Sequence, residues 1–307
     1  MGGNCNTRPK RRAVHGVFLL DKPSGLTSNA ALQQVRRLFR AEKAGHTGTL
    51  DPFAEGLLPV ALGEASKFAS WQLHADKTYR ADVLLGVRTT TGDLEGETVQ
   101  TRPVDVDRAA VERALAAFRG DISQVPPMYS ALKVDGRPMY EYARAGIELV
   151  REARTVQIHA LDLIAFDAPR MSIEVRCSAG TYIRTLAEDI GEQLGCGAHL
   201  TRLVRLSSGG FELQQAHGIN WLEQVDETVR DDILLPVDAL VAHLPRLDVA
   251  ADIAQDLLYG RHPQLHTVAA GMYRIYDGTQ FAGLAERDER GIMFPRRMMS
   301  VGMALES

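Results

Sequence analysis

Between Met171 and Leu194 the spacing of apolar residues changes period within a few positions. Met171, Ile173, Val175 and Cys177 alternate, as they do along one face of a β-strand. After Ser178-Ala179-Gly180, the residues Ile183, Leu186, Ala187, Ile190 and Leu194 recur at helical spacing, and Gly195 closes the run. A strand that feeds directly into an amphipathic helix needs a sheet to join and a layer to pack on. The chain is therefore read as mixed α/β, with the sheet topology left open by this pattern.

The same grammar recurs elsewhere. His15 to Lys22 reads as a strand leaving through Pro23-Ser24-Gly25, and Thr27 to Phe39 as a helix capped by Thr27 or Ser28. Further helices are expected over Ala65–Leu73 and Asp107–Arg119, the latter ended by Gly120. Strands are expected over Lys77–Leu85, and Thr155–Phe166 should pair with Met171–Cys177. Beyond Leu244-Pro245 the character changes to short strands, with a hairpin signal at Tyr276-Asp277-Gly278. The 307 residues thus divide into a flexible start (1–14), a large domain (15–245) and a small β-rich domain (246–307).

Several functions are disfavoured. No apolar run approaches the ~20 residues of a membrane span. The opening MGGNCNTRPKRR is polar and basic, unlike a secretory signal. Three widely spaced cysteines, Cys5, Cys177 and Cys196, suit a reducing, cytoplasmic setting. His262 and His266 are separated by Pro263 and accompanied by no cysteine pair, so no metal site is expected. A net charge of −4 means that any nucleic-acid function must rest on local patches. One such patch is Arg36, Arg37, Arg40 and Lys43, readable either as a solvated helix end or as a phosphate-facing surface. Another is PPMYSALKVDGRPMYEYARAG at 126–146. There Tyr129, Tyr140 and Tyr142 interleave with Lys133, Arg137 and Arg144, as suits base stacking, or else the segment folds over the core.

Two residues stand out chemically. Asp51 lies between a Gly/Thr-rich turn and Pro52, ahead of an apolar run. Pro52 biases it towards extended backbone, and Gly45 and Gly48 are expected to allow a tight turn before it. Such a loop can present a carboxylate for catalysis, although Asp-Pro also commonly starts a helix. Arg184 falls in the first turn of its helix, near an expected Thr181 cap, where a cation opposes the helix dipole. It is either exposed and tolerated, or aimed at a buried carboxylate.

These segments carry a resemblance. GHTGTLDP at 45–52 resembles the signature of the TruB family of tRNA pseudouridine synthases. So do LLDKPSGLTSN at 19–29, KTYRADVLLG at 77–86, the 126–146 stretch, and CSAGTYIRTLAEDIGEQLGCGAHLTRLVR at 177–205, in the family's order. Together they cover most of residues 15–210, while the tail resembles the family's PUA-like RNA-binding module more weakly, best at LLYGRHP, 257–263.

The resemblance implies a pseudouridine synthase fold: a mixed, mostly antiparallel central sheet with a small β-rich module behind it. It implies isomerisation of uridine 55 in the T arm of tRNA, with no cofactor. Asp51 matches the catalytic aspartate, attacking uracil C6 or sugar C1′, and Arg184 its paired arginine. Tyr79 matches the residue stacking on the flipped uracil and is a candidate for removing the C5 proton. His46 would fill the space the base vacates, and Tyr182 and Leu203 would line the pocket. Lys22-Pro23 would brace the active-site loop. RNA contacts are expected from Lys22, Arg36, Arg40, Lys43, Tyr129, Lys133, Arg144 and Arg154, with Arg37 and Arg151 on the same basic face and 126–150 as an RNA-gripping insertion. A stand-alone, monomeric enzyme without an obligatory protein partner is expected. The alternatives are a tRNA-binding or folding protein without chemistry, and a guide-RNA-dependent relative.

Overall fold

The computed structural model describes residues 10–304. The first nine residues of the expected flexible start, Cys5 among them, lie outside the described residues. The rest of that start is docked: Val14 is buried in the core, and Arg12 forms a 2.5 Å ion pair with Asp231.

The chain begins with β1 (Gly16–Lys22), α1 (Ser28–Leu38), β2 (Ala44–His46) and β3 (Glu55–Leu62). A 3-10 segment (Gly63–Gln72) leads to β4 (Lys77–Leu85), β5 (Val87–Thr89), β6 (Thr98–Thr101), α2 (Arg108–Ala117) and β7 (Gly120–Gln124). The insertion holds β8 (Lys133–Val134), β9 (Arg137–Pro138) and α3 (Met139–Arg144). Then follow β10 (Arg154–Asp167), β11 (Arg170–Cys177), α4 (Ile183–Gln193), β12 (Ala198–Ser208), β13 (Phe211–Glu212), β14 (His217–Gly218), α5 (Ile219–Gln224) and α6 (Glu227–Asp232). The C-terminal part contains β15 (Arg246–Asp248), α7 (Ala251–Leu258), β16 (Gly271–Asp277), β17 (Gln280–Arg287), β18 (Met293–Met298) and α8 (Val301–Ala304).

The main sheet runs β14-β1-β3-β12-β4-β11-β10-β7, with β2 added to β3 and β13 to β12. Only β1–β14 and β3–β12 are parallel, so the sheet is mixed and mostly antiparallel, as expected. Its layers follow from sequence. In β11 the inward set is Met171, Ile173, Val175 and Cys177, all buried. With Ile183, Leu186, Ala187 and Ile190 of α4 they form one core beneath the sheet. Central β3 reads EGLLPVAL and is buried on both faces, so it is apolar throughout rather than alternating. On its other side Phe18, Leu20, Leu58 and Val60 pack against Val35 and Phe39 of the α1 segment.

One edge of β3 is incomplete. β1 lines the opposite edge from end to end. Here, however, β12 pairs only at Glu55 and Gly56, and β2 only from Val60 to Leu62. The stretch between has no strand partner on that side, and Pro59, which has no N–H to contribute, falls within it. Its carbonyls are met otherwise: Thr47 N–H donates to Pro59 O at 3.2 Å, and Arg205 Nε donates to Leu57 O at 2.7 Å. The loop from Thr47 to Pro52 runs across this gap.

Some local expectations change. The segment after Leu62 is 3-10 rather than α-helical, with Ser66 Oγ bonded back to Gly63 O at 2.7 Å. Gly45 lies within β2 and makes no turn. The helix expected from Thr181 starts at Ile183; Thr181 Oγ1 bonds Ser178 O, and the amide side chain of Gln124 meets both N–H and C=O of Tyr182.

The C-terminal sheet runs β15-β16-β17-β18 and contains the expected hairpin. It shares a hydrophobic cluster with the larger domain, where the Phe68 and Phe281 rings lie 5.3 Å apart. Asp238 bonds both Arg274 (2.7 Å) and the Tyr276 hydroxyl across the same junction.

Gly56 is where β3 and β12 come closest. Its φ is +96°, and a Cβ there would lie 2.5 Å from the Arg205 carbonyl oxygen. Gly56→Ala is expected to cost on the order of 2–4 kcal/mol in chemical denaturation, combining backbone strain with a backbone clash.

Candidate active site

The Asp51 loop is clamped by the segment that follows β1. Ser28 Oγ bonds both the carbonyl (3.0 Å) and the N–H (2.8 Å) of Leu50. Gly25 N–H donates to Pro52 O at 2.8 Å, and Ser24 Oγ to Phe53 O at 2.8 Å. Lys22, fully buried, donates to Pro23 O, Leu26 O and Pro52 O at 2.9, 2.7 and 3.3 Å. Burial pushes its ammonium down to about 8. Asp51-Pro52 therefore starts no helix; the residues on both sides of the carboxylate are bonded into a rigid turn.

Arg184 projects from the first turn of α4 towards that turn. Its side chain is 4% exposed, and Nε lies 2.9 Å from Asp51 Oδ2. The remaining nitrogens are met by Thr91 O (3.0 Å), Tyr129 O (2.7 Å) and Asp93 Oδ2 (3.5 Å). A cation at a helix N-terminus is tolerated here because two carboxylates and two carbonyls replace its water. The Asp51 side chain keeps 34% of its surface open to a cleft of about 660 Å³. Burial pushes the Asp51 carboxyl above the ordinary range; the Arg184 charge pulls it down, and the Asp93 charge adds to the upward push.

Tyr79, Leu203 and Arg205 form part of the cleft wall on adjacent strands β4 and β12. Burial raises the Tyr79 phenol, and the Arg205 charge opposes that rise. His46 closes another side; burial, helped by the Arg205 charge, lowers its pKa, so it stands as a neutral ring at neutral pH. Tyr182, at the start of α4, also faces the cleft. The cleft thus combines an acid held by a buried guanidinium with aromatic walls. This is suited to a nucleophilic or charge-stabilising carboxylate acting on a flat heterocycle.

A family model described as the TruB family pseudouridylate synthase N-terminal domain matches residues 36–183. One described as the tRNA pseudouridylate synthase B C-terminal domain matches residues 184–242. A tRNA pseudouridine synthase B of Thiobacillus denitrificans is 54% identical over 298 residues, spanning 97% of this chain and 100% of the relative. The chain belongs to the TruB family of pseudouridylate synthases. The tRNA pseudouridine synthase B of Aromatoleum aromaticum is 54% identical over 293 residues, spanning 95% of each. A chain of a solved Cbf5–Nop10–Gar1 complex shares the fold, with a TM-score of 0.72 at 24% identity over 95% of this chain and 88% of that one.

Within this TruB-family chain the fold brings Asp51, Arg184, Tyr79, His46, Tyr182 and Leu203 to one cleft, joined by Tyr129 and Arg144 from the insertion. Lys22 is a correction: with no exposed surface and its ammonium bonded to three carbonyls, it cannot meet a phosphate. Arg36 donates to the carbonyls of Ala41 and Glu42 beyond α1, and Arg40 pairs with Glu227 at 2.6 Å. Lys43, Lys133 and Arg154 are exposed, as is Arg37. Arg151 bonds Pro126 O.

Sequence reasoning missed Asp93, Thr91, Ser28 and Arg205. Asp93 had a signal: TTTGDLEG at 89–96 resembles GHTGTLD, a Thr/Gly turn with an acidic residue, here Asp93 followed by Glu95.

The electrostatics give a prediction. Arg184→Met removes the main downward pull on Asp51, so the Asp51 carboxyl should titrate at higher pH than in the unaltered protein, followed by 13C-carboxyl NMR. Because folding already raises this pKa, the native state holds the proton more tightly than the unfolded chain. Stability is therefore lost as pH rises from the ordinary aspartate value to the folded one. Asp51→Asn removes that titration, and its melting temperature should fall less than that of the unaltered protein as pH rises through this range.

Proposed function

We propose that this chain converts uridine 55 in the T loop of tRNA to pseudouridine, with Asp51 as the attacking carboxylate and no cofactor. The observation that carries the reading is the Asp51–Arg184 pair, held rigidly and half-buried beside the Tyr79 ring. Membership of the TruB family and the names of the 54%-identical relatives support the substrate.

The chemistry follows from the site. The glycosidic bond breaks, the uracil turns over, and C5 bonds to the sugar, so nothing is oxidised and no co-substrate is needed. A stacked base must first leave the RNA, at a cost of a few kcal/mol. The Tyr79 face can return roughly 1–3 kcal/mol by stacking. A neutral His46 suits the space the base vacates, since it carries no charge into the RNA interior. Arg184 keeps the Asp51 charge oriented and offsets the charge that develops on attack or departure.

The exposed bases Arg37, Lys43, Lys133 and Arg154 form the proposed phosphate-contacting set, and Tyr129 and Arg144 carry the insertion to the cleft. Recognition is then by the folded shape of the T arm and its phosphates. The C-terminal sheet is proposed to be the PUA-like RNA-binding module. We further propose that the protein acts in the cytoplasm as a monomer without a guide RNA or protein partner. Among the described residues no helix is long and apolar enough to cross a membrane.

Purified protein alone, incubated with an unmodified tRNA transcript, should yield one pseudouridine, at position 55, by carbodiimide mapping. Asp51→Asn should make no product while binding tRNA within a few-fold of the unaltered protein. Arg184→Met should lose rate far more than affinity. Binding without product in the unaltered protein would leave a tRNA-binding or folding role instead, and product only when a guide RNA is added would point to the guide-dependent mode.

A further inference from the structure

Arg205 is 1% exposed and is the largest of the fully buried side chains. Among the described residues no carboxylate pairs with it, whereas buried Arg184 faces Asp51 and Asp93. A buried cation without a counter-charge is unfavourable unless something uses the charge.

Its surroundings show what that use is. In the register of β12 against β4, Arg205 stands directly opposite Tyr79, so the two side chains share a face of the sheet. On its other flank it faces Gly56, the glycine that permits this close backbone approach. A register shift follows between Arg205 and Ser207, the kind of irregularity that re-aims a side chain beside an active site. The guanidinium bonds Leu57 O in the gap of β3 at 2.7 Å and Gly48 O at 3.2 Å, three residues before Asp51. It also lines the cleft. One side chain thus touches the Asp51 loop and faces Tyr79.

We propose that Arg205 is a positioning residue of the isomerisation: it anchors the Asp51 loop at Gly48 and steadies negative charge on the Tyr79 oxygen while that oxygen takes the proton from uracil C5. The proposal rests on the function above and adds a residue to it. In this step the phenol proton passes to N1 and the oxygen left behind bonds the C5 proton; the C5–H electron pair becomes the C5–C6 double bond while the C6–N1 π pair moves onto N1 and holds the proton delivered there. Pseudouridine carries on N1 the proton that uridine carried on C5, so the phenol gives up a proton as N1 gains one. No co-reactant is consumed. The other charged or titratable groups acting on the phenol are Cys177 and Asp51, and Lys77 lines the same cleft. Lys77 Nζ is bonded to Ala75 O and Leu73 O and burial lowers its ammonium to about 8, while burial holds the Cys177 thiol up at about 11; Arg205, whose side chain also hydrogen-bonds the phenol, is the cation that supports a phenolate.

The test is single-turnover pseudouridine formation on tRNA with protium or deuterium at uridine C5. Arg205→Gln should bind tRNA within about threefold of the unaltered protein but react roughly 30- to 300-fold more slowly, in line with loss of a preorganised donor. It should also show a C5 isotope effect larger than that of the unaltered protein, because proton removal has become slower. Arg205→Lys keeps the charge and should recover part of the rate; if Arg205→Gln fails to fold, the same isotope comparison is made on Arg205→Lys. A rate within about threefold of the unaltered protein, or a slowed variant with no increase in isotope effect, overturns the proposal. If the unaltered protein forms no pseudouridine, the functional reading itself fails, which is a separate outcome.

Discussion

The site depends on one guanidinium taken out of water. Arg184 is buried at the start of a helix, where the backbone dipole disfavours it. It is stable there because three separate segments each deliver an acceptor. The 47–52 loop brings Asp51, the turn after β5 brings Thr91 O and Asp93, and the insertion brings Tyr129 O. A buried ion pair is costly to half-assemble. The arginine therefore ties the geometry of the acid to the correct docking of all three segments, including one that belongs to the proposed RNA grip.

The carboxylate is in turn held by backbone rather than by helix structure. A central strand would normally be paired along both edges, but β3 loses its partner between Gly56 and Val60. That gap lets a loop cross the sheet at its most rigid place. Ser24, Gly25, Ser28 and Lys22 bond the loop from one side, and Arg205 and Thr47 complete the strand's free carbonyls from the other. Precision in placing a reactive group comes from such redundant bonding. Its cost appears in the raised carboxyl of Asp51 and the lowered ammonium of Lys22, both driven first by burial.

Much of the fold was legible along the chain. Alternation located β4 and β11, and helical spacing located α1, α2 and α4 within a residue or two at most ends. These signals are local, because a side chain's burial on an isolated strand or helix face repeats with the element's own period. Errors arose where a residue's partner lay far away in sequence. Thr181 looked like a cap, but Gln124 supplies the bonds from 58 positions away in the chain. Lys22 carried two readings, a brace of the active-site loop and an RNA contact; its ammonium is bonded to carbonyls, one of them 30 residues on, which fits the first and rules out the second. Arg40 also carried two readings, a solvated base at the end of its helix and a phosphate contact, and its pairing with Glu227 on α6, 187 residues on, was not visible in the sequence.

By itself the sequence determined several of the strands and helices and, through its motifs, the family, the α+β class, and Asp51 with Arg184 as the pair worth testing; it did not reveal the central strands β3 and β12. Period, turn chemistry and motif order are carried by neighbouring residues and survive without a fold. Only the tertiary structure decided that Arg184 is buried against a half-open Asp51, that Asp93 joins them, that Lys22 is closed to phosphate, and that Arg205 stands across from Tyr79 with no carboxylate paired to it among the described residues. Those facts depend on strand register and on desolvation, which exist only once distant segments exclude water from one another.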